Sequence, residues 1–181
     1  KLEYSGKNLK SGIEAFSHPL SPSPIISSNI KKRLANLNNF RGRKVLILGG
    51  SRGIGSFVAK VIALMGGQVN ITYLIGYEDA LEVCQDINSN KLGLESKLFK
   101  FDILNDYYYS IFDNNFDDLF YFATPKILGK DTINFDQTRY LKFKEIYANS
   151  FRKIASAFLK KDGKKSILSL YPFNWTRHQR S

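Results

Sequence analysis

Cysteine occurs once in the 181 residues, at Cys84, so no disulfide can form within the chain and a disulfide-built scaffold is excluded. A single thiol suits a reducing compartment, and a cytoplasmic location is the expectation. Histidine occurs only twice, as His18 and His178, which is too few and too distant for a metal site by themselves. No apolar run approaches the roughly 20 residues that span a bilayer, so no membrane helix is expected. The opening stretch KLEYSGKNLKSG lacks a continuous apolar segment and reads as no secretory signal. It begins with Lys1 rather than Met, so preceding residues are expected. Acidic residues are also scarce, with 16 Asp and Glu against 27 Lys and Arg and a net charge of +11. The deficit is steepest in residues 1–43, which hold 8 basic and 2 acidic side chains. Such charge could suit a nucleic acid or an anionic surface. No zinc-ligand spacing, aromatic-glycine RNA signature or basic heptad accompanies it. It reads as a lysine-rich solvated surface plus a basic arm, and no nucleic-acid partner is expected.

The composition is globular, 43% hydrophobic and 24% charged, and the length suits one domain. Residues 1–40 read as a leader or linker, because Pro19, Pro22 and Pro24 in SHPLSPSPIISSN exclude helix and central strand. IKKRLANLNNF then predicts a short helix with Ile30, Leu34 and Leu37 on one side. From Lys44 strands and helices alternate. KVLILGG is a strand apolar on both faces. Residues 53–65 form a helix with Phe57, Val58, Val61, Ile62 and Met65 inward, ended by Gly66 and Gly67. QVNITY is a second strand, and EDALEVCQDIN a helix that places Cys84 in the core beside Leu81 and Ile87. SKLFKFD is a third strand, Tyr107–Phe112 a short helix, and DDLFYFAT a fourth strand. A long helix over Thr138–Lys160 carries Phe143, Tyr147, Phe151, Ile154 and Phe158, with Lys160 and Lys161 near its C-terminal dipole. KKSILSLYP is a fifth strand. The alternation predicts an α/β fold, a Rossmann-like doubly wound parallel sheet with helices on both faces. The domain is expected over 41–172, followed by a polar tail over 173–181.

VLILGGSRGIG joins a strand to a helix through Gly49, Gly53 and Gly55. One glycine permits the sharp turn, one lets backbone N–H groups approach a pyrophosphate at the helix N-terminus, and the third lets helix and strand pack closely. The spacing is G-x-x-x-G-x-G rather than G-x-G-x-x-G.

This spacing resembles the short-chain dehydrogenase/reductase family, and the resemblance covers roughly residues 40–172. ITYLIGYEDALEVCQDI is similar to the family's second strand and following helix, and FKFDI to its third-strand end. EIYANSFRKI is similar to the helix carrying its active-site asparagine. The resemblance implies an NAD(P)-dependent oxidoreductase moving hydride between a dinucleotide and a small carbonyl or alcohol substrate, as a possible homo-oligomer. It implies cofactor contacts at Gly49, Ser51, Arg52, Gly53, Ile54 and Gly55. Asp102 would contact adenine with Ile103 beside the ring, and Asn149 would belong to the catalytic set. The alternative is a non-catalytic dinucleotide-binding or scaffold domain.

Three departures qualify the match. Leu48 stands where the family has Thr, and FATPKI stands where its fourth strand ends in Asn-Asn-Ala-Gly, so Phe122–Pro125 must form that wall differently. The family's Tyr-x-x-x-Lys pair, in which an ammonium lowers a phenol's pKa, should follow the fifth strand. Among ten tyrosines only Tyr140 has Lys at +4, namely Lys144, and this pair precedes Asn149. It reads as an aromatic edge and a solvated lysine. Ser169 falls inside the fifth strand, too early for the substrate-holding serine. The chain is therefore expected to be a family fragment lacking the catalytic segment and inactive alone. NADP is expected over NAD. Val69–Gly76 contains no carboxylate for the adenosine ribose, whereas Arg52 could fork onto a 2′-phosphate. Glu78 and Asp79 read as helix-cap acids unrelated to the cofactor.

Overall fold

The computed structural model describes residues 2–6, 9–13, 28–35, 37–89, 95–125 and 136–169. The sequence predicts no strand before Lys44, yet β1 (Leu2–Gly6) and β2 (Leu9–Ile13) pair antiparallel as a hairpin. The three prolines and both histidines lie outside the described residues. Helix α1 (Ser28–Ala35) answers the expected short helix but ends before Leu37, which is exposed.

The main sheet has five parallel strands, β3 (Lys44–Leu48), β4 (Gln68–Tyr73), β5 (Lys97–Lys100), β6 (Asp118–Tyr121) and β7 (Ser166–Ser169). Their spatial order is β5-β4-β3-β6-β7. Because side chains alternate along a strand, the central β3 feeds two cores. Val45 and Ile47 join Val69, Ile71, Ala59 and Ile62 on one face, whereas Leu46 and Leu48 join Leu119, Phe112, Ile154 and Phe158 on the other. Helices α2 (Gly53–Leu64) and α3 (Tyr77–Ser89) cover the first face. A nine-residue 3-10 helix (Asp106–Asn114) and α5 (Phe151–Leu159) cover the second. The sheet is therefore doubly wound, as its alternating pattern predicts.

Two helical faces differ from the sequence expectation. Helix α2 buries Gly55, Ser56, Ala59, Ile62, Ala63 and Leu64, while Phe57 lies exposed. Small residues on the inner side let the helix lie close to the sheet, and a reading that favours large apolar side chains rotates the face away from them. The expected long helix consists of α4 (Gln137–Lys144), a π-helical stretch over Glu145–Ser150, and α5. The wider π-helical turns shift the register, so Ile146 and Ser150 are buried while Phe143 and Tyr147 are half-buried. The Tyr121 hydroxyl donates to the Ile146 carbonyl at 2.6 Å, anchoring that stretch to β6. Asp136 caps α4 by accepting from the Arg139 N–H at 3.0 Å.

A buried acid fixes the sheet's N-terminal edge. Asp118 accepts from Arg43 Nε at 2.5 Å and Nη2 at 2.7 Å, and also from the Ser166 hydroxyl. The bonds to Asp118 raise the Arg43 pKa further above its ordinary range. The fork ties the entry to β3 to the start of β6, and Ser166 adds β7. Asp118→Asn leaves Arg43 without its counter-charge and should destabilise the fold by about 3 kcal/mol in urea denaturation.

Tyr109, in the 3-10 helix, stacks on Phe101, and its buried hydroxyl has no well-formed hydrogen bond among the described residues, with the Asp106 carboxylate nearby. Burial, reinforced by the Asp106 charge, pushes this phenol up to about 12. The unfolded phenol titrates at about 10. The stability linked to the neutral phenol is thus whole below pH ~10 and is lost as pH rises toward the folded value. Tyr109→Phe should be at least as stable as the parent at neutral pH. The parent should then lose more stability than the variant as the pH of urea titrations is raised above 10.

Candidate functional site

The chain leaves β3 toward β4 on one side and returns to β6 on the other, so the winding reverses between β3 and β6. In doubly wound sheets a crevice opens at the C-terminal ends of such strands. The glycine loop stands there. Gly49 has φ +81°, and a Cβ on it would meet Ala123 N at 2.8 Å and Phe122 O at 2.9 Å. A Cβ on Gly55 would run into the Gly49 carbonyl oxygen. Two backbone segments thus lie against each other where no side chain fits. Thr72, which sequence reasoning missed, links this loop to β4. Its hydroxyl donates to Ile47 O and accepts from Gly49 N–H, both at 3.3 Å.

Helix α2 opens without a side-chain cap: Arg52 occupies the N-cap position and makes no capping bond. The first-turn N–H groups therefore retain their capacity for an anion. A Cβ at Gly53 would meet nothing within 4 Å, so the space above the helix start is open. Ile54 is exposed, and Ser51 is half-buried. Arg52 is committed elsewhere. Its Nε donates to Asp79 Oδ2 at 2.6 Å and Nη2 joins the same ion pair. Asp79 lies in the first turn of α3, as an acid suited to the helix dipole, but it also holds the loop arginine.

Asp102 and Ile103 follow β5. Asp102 Oδ1 accepts from Leu104 N–H at 2.9 Å, so this carboxylate already shapes its own turn, and Ile103 packs against the second core. Asn149 lies in the π-helical stretch, where its amide donates to Glu145 Oε2 at 2.5 Å. At the exit of β6, Phe122 and Pro125 are buried, and the Thr124 and Tyr147 hydroxyls share a 2.5 Å hydrogen bond. That hydroxyl pair had no signal in the sequence, because its members are 23 residues apart. Tyr140 and Lys144 lie on α4, which buries none of its residues. Ser169 is the last residue of β7.

Cys84 is buried, and its thiol donates to Ser96 O at 3.0 Å. Burial pushes the thiol pKa up, which suits packing rather than nucleophilic attack. Among the described residues no group of three or more His, Cys, Asp or Glu could hold a metal. Nor is any helix among them long and apolar enough to cross a membrane.

No family model and no curated relative matches the sequence. Solved structures do match it. A short chain dehydrogenase from Burkholderia cenocepacia J2315 in complex with NADP superposes with a TM-score of 0.63 at 22% identity, over 72% of this chain and 55% of that one. The fold is that of the short-chain dehydrogenases. A short-chain type dehydrogenase/reductase from Mycobacterium marinum matches with a TM-score of 0.63 at 18% identity, over 75% of this chain and 58% of that one. A 3-oxoacyl (acyl-carrier-protein) reductase from Agrobacterium tumefaciens C58 with NADP bound matches at 0.62 and 20% identity, covering 76% and 55%. This chain therefore spans little more than half the length of these short-chain dehydrogenase structures.

The loop geometry separates its glycines. Gly55→Ala places a methyl against the Gly49 carbonyl and should destabilise the protein by roughly 2–3 kcal/mol. Gly53→Ala meets open space and carries only the backbone strain of φ +54°, about 1 kcal/mol. Thermal unfolding of the two variants side by side checks the order.

Proposed function

We propose that the chain is a short-chain dehydrogenase/reductase domain that binds NAD(P) and serves hydride transfer between that dinucleotide and a small carbonyl or alcohol. What carries the reading is an uncapped helix N-terminus behind a glycine loop at the reversal point of the sheet. Two of the solved structures that share this fold hold NADP, which supports the same ligand class here.

In this reading the N–H groups of Gly53, Ile54 and Gly55, with Ser51, take the pyrophosphate, and Gly49 provides the close turn beside it. Asp102 and Ile103 border the adenine, and Asn149 positions groups at the reacting end. The nicotinamide, when bound, supplies or accepts the hydride. The residues present fit such a group: the space over Gly53 is open, and the helix start has donors to spare. Arg52 is the nearest cation of the glycine loop and would meet a 2′-phosphate with charge-assisted bonds, favouring NADP over NAD. A homo-oligomer is part of the same proposal.

A second reading, dinucleotide binding without turnover, is favoured by one observation. The chain's single Tyr with Lys at +4, Tyr140 with Lys144, precedes Asn149 on a helix that buries none of its residues. Oxidation of NADPH with small carbonyl substrates separates the two.

Calorimetric titration tests the shared part. NADP should bind more tightly than NAD, and Arg52→Ala should remove most of the difference at moderate salt. Gly53→Val should abolish binding of both while circular dichroism stays unchanged. Equal affinities in the parent chain would sink the Arg52 assignment; unchanged binding in Gly53→Val would sink the pyrophosphate site.

A further inference from the structure

From sequence Asp79 reads as a helix-cap acid, and the structure joins it to the loop arginine. Three residues from three places make the unit. Arg52 comes from the glycine loop, Gly76 from the turn after β4, and Asp79 from the first turn of α3. The guanidinium donates to Asp79 Oδ2 at 2.6 Å through Nε, with Nη2 on the same oxygen. Gly76 is what lets the pair close. A Cβ there would strike Arg52 Nη2 and lie 2.7 Å from Asp79 Oδ2, and its φ of +85° is one that side chains rarely adopt. The pair is partly open to solvent, 67% exposed at Arg52 and 42% at Asp79, so solvent screens it and it can exchange partners.

We propose that Asp79 sets how strongly the site discriminates between the two dinucleotides, by acting as a built-in competitor for Arg52. This inference rests on the dinucleotide reading above. A 2′-phosphate is a dianionic acceptor that must draw the guanidinium away from Asp79 before it gains the full fork. A 2′-hydroxyl makes no such demand, and the Arg52–Asp79 clasp stays closed beside it. Asp79 therefore lowers affinity for the phosphorylated cofactor and leaves the other nearly unchanged. Asp79 is thus a positioning residue, acting through Arg52, and the expected size is that of an exposed ion pair.

The experiment is a double-mutant cycle on the full chain, titrated calorimetrically with NADP and with NAD at fixed moderate salt. Asp79→Asn should bind NADP about two- to five-fold more tightly than the parent and NAD within experimental error of it. In the Arg52→Ala background, Asp79→Asn should have little further effect on NADP, since no arginine remains to release. Gly76→Ala, which wedges the clasp open, should shift NADP in the same direction as Asp79→Asn if the fold is retained. An unchanged NADP affinity in Asp79→Asn would overturn the inference while leaving the site itself intact. So would a gain of equal size in the Arg52→Ala background, which would mark simple repulsion of the phosphate by Asp79. A folded parent chain that binds neither cofactor would overturn the dinucleotide reading and the clasp's role with it.

Discussion

The close approach of backbone to backbone at Gly49 and Gly55 is the constraint on which the rest of the site depends. Gly49 lies against Phe122 and Ala123 with no room for a side chain, and Gly55 lies against the Gly49 carbonyl. This packing sets the direction in which α2 leaves the sheet. It also brings the exit of β6 alongside the loop, although the two are more than 70 residues apart. Thr72 adds a hydroxyl that holds both Ile47 and Gly49. A helix start kept free of side-chain caps can then face a crevice instead of folding back on itself.

The parallel sheet was legible because its strands are apolar on both faces and separated by amphipathic stretches. KVLIL and QVNITY admit few other placements once glycine turns and helical periods flank them. The glycine loop was legible for a similar reason: a local motif encodes a local geometry. Less legible was the inner side of α2, where Ala59 and Ala63 are buried and Phe57 is exposed. Hydrophobic bulk and closeness of packing pull in opposite directions there. The π-helical stretch over Glu145–Ser150 was invisible to a reading by helical period, because it changes that period midway. The N-terminal hairpin contains few of the β-branched residues that mark strands.

Among the residues around the glycine loop, legibility follows sequence distance. Gly49, Gly53 and Gly55 form one motif and could be read together. The Arg52–Asp79 pair spans 27 residues, and the Thr124–Tyr147 pair spans 23. Nothing in either segment announces its partner; only the parallel topology brings them together. Asn149 is singled out by resemblance alone, and its bond to Glu145 follows from the altered turn in which both residues sit. Tyr121 is tied to that same turn through the Ile146 carbonyl. The π-helical stretch is therefore fastened to the sheet next to the strand exit that bears Thr124.

The burial of Cys84 gives the chain a property unrelated to the glycine loop. This thiol sits on α3 and bonds to the Ser96 carbonyl, which Asn88 also holds at 3.3 Å. An alkylating reagent reaches the buried sulfur when the packing around α3 opens. With no second cysteine in the chain, the labelling rate reports on opening around this one site. A single atom thus works as a clock for the outer βα layer, the layer whose other end carries Asp79.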